Sequence, residues 1–291
     1  MEKGSLLEGK YRILSILGQG GMGRVYLAEN IKLGTLWAIK HLQKKPGSGR
    51  NLYIEPNILK KLSHPALPRV FDIFEDDENV YIVVDYIEGV SLDKKLEEAG
   101  CFSEEVVLEW AGQLCDVLIY LHSIKPNPII YRDMKPANII LTESGRLKLV
   151  DFGIAREYKS GACSDTICIG TRGYAAPEQY GAGQTSIASD IYSLGVTLYH
   201  LLTGKSPNEP PYEIKPMRLF NSNLSSDIEN VILKCTRQDP AERYQSVQEL
   251  MVEIDRIKKS RANDSTDENF TYKDAGVCHY ESNNRPVTFK K

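Results

Sequence analysis

The 291-residue chain predicts a two-lobed α+β fold, with a small sheet-rich lobe preceding a larger helical one. Three observations carry that expectation. The first 90 residues hold short aliphatic and aromatic runs separated by turn signals. From residue 91 onward apolar residues recur at three- and four-residue steps instead. The length also permits it, because a body of this size buries roughly 70–75% of its unfolded surface.

In the first lobe, strands are predicted at 11–17 and 25–29 around a glycine cluster, and at 36–42 after a turn at Gly34. Two further strands, 70–74 and 81–85, flank the acidic hairpin tip at 75–79. One short helix, about 56–62, ends before His64-Pro65. The lobes join near 85–90. Val106, Val107, Trp110, Leu114, Val117, Leu118 and Leu121 then mark a helix with Ser103 as N-cap and Glu104-Glu105 in its first turn. A second helix, about 189–202, stops at Gly204. Ser226…Glu229 and Ser246…Glu249 read as capping boxes, each opening a helix. The last helix carries Val247, Leu250, Met251, Ile254 and Ile257 on one face. The organisation expected is a first lobe at 8–87, a second at 88–258 and a polar, flexible tail at 259–291. No repeat of 20–50 residues is visible.

Composition narrows the function classes. Hydrophobic residues at 42% and charged residues at 26% describe a globular chain. Thirty-six basic against 39 acidic side chains give a net charge of −3, which offers no global case for binding nucleic acid or an anionic membrane. Cys101, Cys115, Cys163, Cys168, Cys235 and Cys278 are scattered, and the start Met-Glu-Lys-Gly-Ser lacks a signal-peptide core. Reduced thiols and a cytoplasmic location are the expectation. No apolar run approaches the roughly 18 residues that would span a bilayer.

Gly18-Gln19-Gly20-Gly21-Met22-Gly23-Arg24-Val25 fits G-x-G-x-x-G-x-V, and glycines let a backbone approach phosphates. A dinucleotide turn would need a helix directly after it. Here a strand-like run follows, which leaves a phosphate-covering flap and a plain structural hairpin as the two readings. Lys40 lies on the apolar strand Trp37-Ala38-Ile39, 17 residues after Gly23. It is either a lysine snorkelling from a strand edge or one returning under the flap to meet phosphate. In the second case Glu55 is the candidate counter-carboxylate. Pro56 favours the first helical position, so Glu55 is expected at the very edge of a short helix.

The run Ile130-Tyr131-Arg132-Asp133-Met134-Lys135-Pro136-Ala137-Asn138 sets Asp, Lys and Asn at spacings of two and three between apolar stretches. Eighteen residues after Asp133 comes Asp151-Phe152-Gly153. Two metal-capable groups, Asn138 and Asp151, beside a separate carboxylate and a cation suit phosphoryl transfer, where positioning and charge neutralisation do most of the work.

With these motifs in this order, residues 8–258 resemble a eukaryotic-like (Hanks-type) serine/threonine protein kinase. The glycine loop and Gly170-Thr171-Arg172-Gly173-Tyr174-Ala175-Ala176-Pro177-Glu178-Gln179-Tyr180 are most similar to bacterial members. The resemblance implies a bilobal kinase fold binding ATP with Mg²⁺, or Mn²⁺ in its place. It implies that Leu17 and the 18–23 loop cover the nucleotide, and that Lys40 holds its phosphates while bridging Glu55. Adenine would sit between Val25 and Ala38 above and Ile140 below, with Val84 at the back. The backbone from Asp85 to Ile87 would supply its hydrogen bonds. Asp133 would orient or deprotonate the acceptor hydroxyl, Lys135 would neutralise the moving phosphoryl group, and Asn138 and Asp151 would ligate metal. Lys135 with Thr171 points to serine or threonine acceptors on proteins. Glu178 would pair with Arg243, and Asp190 would brace the catalytic loop.

Two departures stand out. Tyr131 replaces the commoner histidine before Arg-Asp, with its ring still able to stack on Phe152, and Pro56 shortens the helix bearing Glu55. Ser160, Ser164 and Thr166 are the hydroxyls through which autophosphorylation, in a transient dimer, would order the segment against Arg132. Cys163 and Cys168 in the same stretch read as incidental thiols. The competing reading is a pseudokinase-like nucleotide-binding scaffold, and a third is a small-molecule kinase. Lys40, Asp133, Asn138 and Asp151 argue against the scaffold, and Thr171 with Ala-Pro-Glu against the third.

Overall fold

The computed structural model describes residues 1–20, 23–44, 52–158, 170–181, 183–209 and 213–264. The first lobe contains β1 (Leu6–Leu7), β2 (Tyr11–Gly20), β3 (Gly23–Asn30), β4 (Thr35–Gln43), α1 (Ile54–Leu59), β5 (Val70–Glu75) and β6 (Asn79–Asp85). Its six strands form one antiparallel sheet in the order β1-β2-β3-β4-β6-β5. Alternation places Tyr11, Ile13, Tyr26, Ala28, Ile39, Tyr81 and Val83 in a small core on one face. The opposite face carries Val25, Ala38, Lys40 and Val84. Register fixes this, because Val25 lies opposite Lys40 and Ala38 opposite Val84. The acidic tip forms as expected: the Asp76 side chain accepts from the Glu78 and Asn79 N–H groups at 2.9 and 2.7 Å.

The second lobe follows with β7 (Val90–Ser91), α2 (Leu92–Ala99), α3 (Glu104–Ser123), β8 (Ile129–Ile130), β9 (Ile139–Leu141), β10 (Leu147–Leu149), β11 (Arg156–Glu157), α4 (Ile187–Thr203), α5 (Ser226–Cys235) and α6 (Val247–Asp264). α3 is its spine. The apolar positions read from the sequence are buried along it, and Ser103 caps its first turn by accepting from Val106 N–H at 3.5 Å. Its core continues through Ile191, Leu194 and Leu198 of α4, Ile228 and Ile232 of α5, and Leu250 and Ile254 of α6. Each such side chain contributes roughly 1.5–3 kcal/mol through burial. The same core reaches Ile58 and Leu59 of α1 and Phe152, so the short helix of the first lobe is seated on the second.

Three helix starts differ from expectation, and in the simplest case α4 opens at Ile187 on a Ser186 cap, two residues ahead of the expected 189. α5 is capped by Ser225, not Ser226. Ser225 Oγ accepts from Ile228 N–H at 3.2 Å while its own N–H and O–H donate to the buried Glu104 carboxylate at 2.7 and 2.6 Å. Glu229 turns instead to the Arg218 N–H at 3.0 Å. α1 begins at Ile54, so Pro56 occupies its third position and Glu55 lies within the helix. α6 carries the chain on to Asp264, and residues 265–291 lie outside the described residues. Among the described residues no helix is long and apolar enough to cross a membrane. Cys101, Cys115 and Cys235 are buried, with burial raising the Cys115 thiol to about 12, in the direction of an unreactive thiol.

Candidate active site

The cleft between the lobes begins at the glycine hairpin. β2 and β3 pair up to Gly20 opposite Gly23, so strand–turn–strand is the observed context and no helix follows. Gly21, Met22, Ser160, Cys163, Ser164, Thr166 and Cys168 lie outside the described residues. Leu17 is half-exposed at the start of this hairpin.

Lys40 projects from the cleft face of β4 and is buried. Its ammonium donates to Glu55 Oε2 and, at 2.7 Å, to Asp151 Oδ1. Glu55 Oε1 accepts from Phe152 N–H at 3.3 Å, so one carboxylate joins β4 to the Asp-Phe-Gly turn. Pro56 does not prevent the pair, since Glu55 sits on the first turn of α1 where its side chain points into the cleft. Burial pushes the Lys40 ammonium down, but Glu55 and Asp151 outweigh it and hold its pKa above the ordinary lysine value. Burial raises Glu55, against the opposing pull of Lys40. Burial would also raise Asp151, but Lys40 and the Gly153 N–H hold it below the usual carboxylate range. One cation thus serves two carboxylates, and Asp151 retains its charge the more firmly.

The second half of the site hangs from α4. Asp190 is wholly buried and accepts from Tyr131 N–H at 2.9 Å, Arg132 N–H at 2.7 Å and His122 Nε2 at 2.8 Å. Arg132 takes a left-handed φ of 68°, which costs a non-glycine residue roughly 1–2 kcal/mol, and these bonds hold it there. Asp133 follows. Its carboxylate accepts from Lys135 Nζ at 2.9 Å, Asn138 Nδ2 at 2.8 Å and Thr171 Oγ1 at 2.7 Å. Lys135 also donates to Thr171 Oγ1 at 2.6 Å. The Tyr131 ring packs on Phe152 as expected, edge-on, with ring centroids 5.0 Å apart at 65°. Its hydroxyl reaches the Val150 carbonyl and fixes the ring.

The donor set fits a hard divalent cation. Asn138 spends its amide nitrogen on Asp133, which leaves Oδ1 as an acceptor; Asp151 spends Oδ1 on Lys40 and Gly153 and keeps Oδ2. Among the described residues no group of three or more His, Cys, Asp or Glu is assembled for a metal. Two oxygen donors alone suit Mg²⁺, which keeps its waters and takes substrate phosphates as ligands. At the hinge, Asp85 N–H is already spent on the Arg69 carbonyl at 3.1 Å, and its carboxylate holds the Arg69 guanidinium at 2.9 and 3.1 Å. Ile87 is half-buried in the stretch between β6 and β7. Ile140 lies on β9 below, and Val84 is part-buried at the back.

Reading the sequence did not single out His122 or Gln179. His122 reads as an ordinary basic residue near a helix C-terminus, and its partner Asp190 is 68 residues away. Gln179 follows the Ala-Pro-Glu motif as a bare polar residue, yet its Nε2 donates to the Arg132 carbonyl at 3.0 Å.

A curled antiparallel sheet over a helical lobe, with a lysine–carboxylate pair and an Asp-Lys-Asn-Thr cluster in the cleft, defines the bilobal kinase class. The protein kinase domain model matches residues 11–253, and the chain belongs to that family. It is 32% identical over 290 residues to the serine/threonine-protein kinase PrkC of Bacillus subtilis, covering 92% of this chain and 44% of that protein. A probable serine/threonine-protein kinase of Streptomyces coelicolor is 35% identical over 277 residues, covering 88% and 41%. PknB of Mycobacterium tuberculosis is 32% identical over 275 residues, covering 87% and 44%. The chain therefore spans less than half the length of these relatives.

Proposed function

We propose that this kinase domain transfers the γ-phosphoryl group of ATP to serine and threonine hydroxyls of proteins. The observation that carries the reading is the Asp133 carboxylate, which gathers Lys135, Asn138 and Thr171 within hydrogen-bonding distance at the mouth of the cleft. In this reading the glycine hairpin covers the nucleotide, and Lys40, held by Glu55, orients its phosphates. Val25, Ala38, Val84 and Ile140 enclose the base, and the backbone between Asp85 and Ile87 meets its edge. Mg²⁺, or Mn²⁺ in its place, supplies neutralisation of phosphate charge when bound, with Asn138 and Asp151 as its oxygen donors.

Asp133 orients the acceptor hydroxyl and takes its proton as the oxygen bonds to the γ-phosphorus and the bond to ADP breaks. Lys135 faces the moving phosphoryl charge. Thr171 holds Asp133 on the side from which a protein acceptor enters, which favours an extended peptide over a small molecule. The substrates are proteins, this chain's own 159–169 segment among them through a transient dimer. A phosphate there would meet Arg132, which burial, with Arg156 nearby, brings down to about 10 and so leaves charged at neutral pH. We place the domain in the cytoplasm, where ATP and reduced thiols coexist.

Transfer of labelled phosphate from MgATP to a generic protein acceptor tests the reading. Asp133→Asn should lower the rate by roughly 10²–10⁴-fold. Equal rates in the two proteins would reject the role of Asp133, and nucleotide binding without transfer in the wild type would favour the scaffold reading.

A further inference from the structure

Arg132 is held in its left-handed conformation from three directions. Its N–H donates to Asp190 Oδ1 at 2.7 Å, and its Nε–H donates to the Ile154 carbonyl at 2.6 Å. Its carbonyl accepts from Gln179 Nε2 at 3.0 Å. The first partner belongs to α4 and the second to the turn between Asp-Phe-Gly and β11. The third comes from the turn Pro177–Tyr180, which ends the segment beginning at Gly170.

Gln179 is 2% exposed, and both ends of its amide are used. Oε1 accepts from Ala176 N–H at 3.2 Å while Nε2 reaches Arg132. The start of the segment packs directly onto it: a Cβ at Gly170 would lie 2.8 Å from Gln179 Nε2 and 2.5 Å from Ala175 Cβ. The next residue, Thr171, donates to Asp133 Oδ1 at 2.7 Å. Residues 170–180 therefore grip Asp133 twice, at its carboxylate through Thr171 and at its preceding peptide bond through Gln179.

We infer that Gln179 is a positioning residue for phosphoryl transfer, fixing the Arg132–Asp133 peptide so that the seating of residues 170–180 is felt at the Asp133 carboxylate. Asp190 secures the peptide before Arg132 from α4, whereas Gln179 reaches the peptide after it from the segment itself. The chemistry selects an amide. Glutamate has the length but no donor at neutral pH, and methionine has neither donor nor acceptor of comparable strength. A residue that merely capped its own turn would need only Oε1, which Gln179→Glu preserves.

The test uses the whole chain as Gln179→Glu and Gln179→Met, and rests on the phosphotransfer reading above. Steady-state rates with MgATP and a protein acceptor are measured beside amide hydrogen exchange over 130–135 without nucleotide. Both variants should lose roughly 10–100-fold in kcat, the scale of a misplacement of about 1 Å. Their KM for ATP should stay within about twofold. Exchange at 131–134 should quicken while the amides of α3 and α4 keep their protection. Should Gln179→Glu melt early from its buried charge, the neutral Gln179→Met carries the test. Wild-type kcat with wild-type exchange at 131–134 in a folded variant overturns the inference. An inert wild type whose variants exchange faster rejects phosphotransfer and retains the Gln179 link, whereas an inert wild type with unchanged exchange rejects both.

Discussion

Glu178 and Arg243 meet in a two-pronged ion pair, Nη1 to Oε1 at 2.8 Å and Nη2 to Oε2 at 3.0 Å. The remaining guanidinium donors reach the carbonyls of Arg237, Ala188 and Gln238 at 2.8, 2.9 and 3.0 Å. Ser189 Oγ donates to Glu178 Oε1 at 2.6 Å. All five donors of a buried arginine are thus satisfied, and the closing motif of the 170–180 segment is bolted to the loop before α6. Burial works to raise Glu178, yet the bonds from Arg243 and Ser189 keep it below its ordinary value. Removing one partner strands the other charge. Arg243→Ala should cost about 3–5 kcal/mol in urea unfolding, and Arg243→Lys should recover little because an ammonium cannot span both oxygens. A loss under 1 kcal/mol for Arg243→Ala would show that the pair is dispensable to the fold.

Lys40 lies between Glu55 and Asp151, and that sharing sets a second expectation. Glu55→Gln keeps an acceptor for Phe152 N–H but withdraws the charge that balances Lys40 against Asp151. The ammonium then leans toward Asp151, away from where nucleotide phosphates arrive. The ratio kcat/KM for ATP should fall roughly 10–100-fold, the worth of one charge-assisted bond. Circular dichroism should remain that of the wild type. Unchanged kinetics would mean that Lys40 is positioned by β4 alone.

What the sequence discloses and what it hides divide along contact range. Lys40, Asp133, Asn138 and Asp151 are legible because their chemistry is concentrated in short runs between apolar strands. The helix at 104–123 is legible because its buried residues keep one period. Ser225 is missed in favour of Ser226 because the local capping-box rule rewards the serine with a glutamate three residues on, and that is Ser226 with Glu229. The choice is made by Glu104, 121 residues away, which takes Ser225 N–H and O–H. His122 and Gln179 are hidden for the same reason: each acquires its meaning from a partner across the fold. Pro56 misleads in a different way. It marks a helix start at N1, but the chain opens α1 two residues earlier and tolerates proline within the first turn, where no intrahelical N–H bond is lost.

His200 ties stability to pH. Tyr174 OH and His200 Nδ1 lie 2.6 Å apart, and burial lowers the imidazole from 6.5 to about 4. Between those values the unfolded chain binds a proton that the folded chain refuses, so this contribution is complete above about 6.5 and is lost as pH falls toward 4. The loss attributable to His200 should be on the order of 2 kcal/mol. Urea unfolding at pH 7 and pH 4.5 measures it, with His200→Gln as the neutral reference in which other titrations are shared. Equal pH dependence in the two proteins would place the histidine's pKa near its free value.

Two glycines of the hairpin separate folding from nucleotide handling. Gly23 takes φ 140°, and a Cβ there would lie 2.2 Å from the His41 carbonyl oxygen, across the β3–β4 ladder. Backbone cannot yield that distance cheaply, so Gly23→Ala should destabilise the first lobe by about 1–3 kcal/mol and lower the melting temperature. Among the described residues Gly20 has nothing within 4 Å of the same position, and it has no positive φ. Gly20→Ala should leave unfolding within about 0.5 kcal/mol of wild type. If the hairpin lies over phosphates, the added methyl stands where backbone and nucleotide meet, and KM for ATP should rise several-fold while the melting curve stays put. Wild-type kinetics in Gly20→Ala would return the glycine loop to a plain structural turn, whatever Gly23→Ala does to stability.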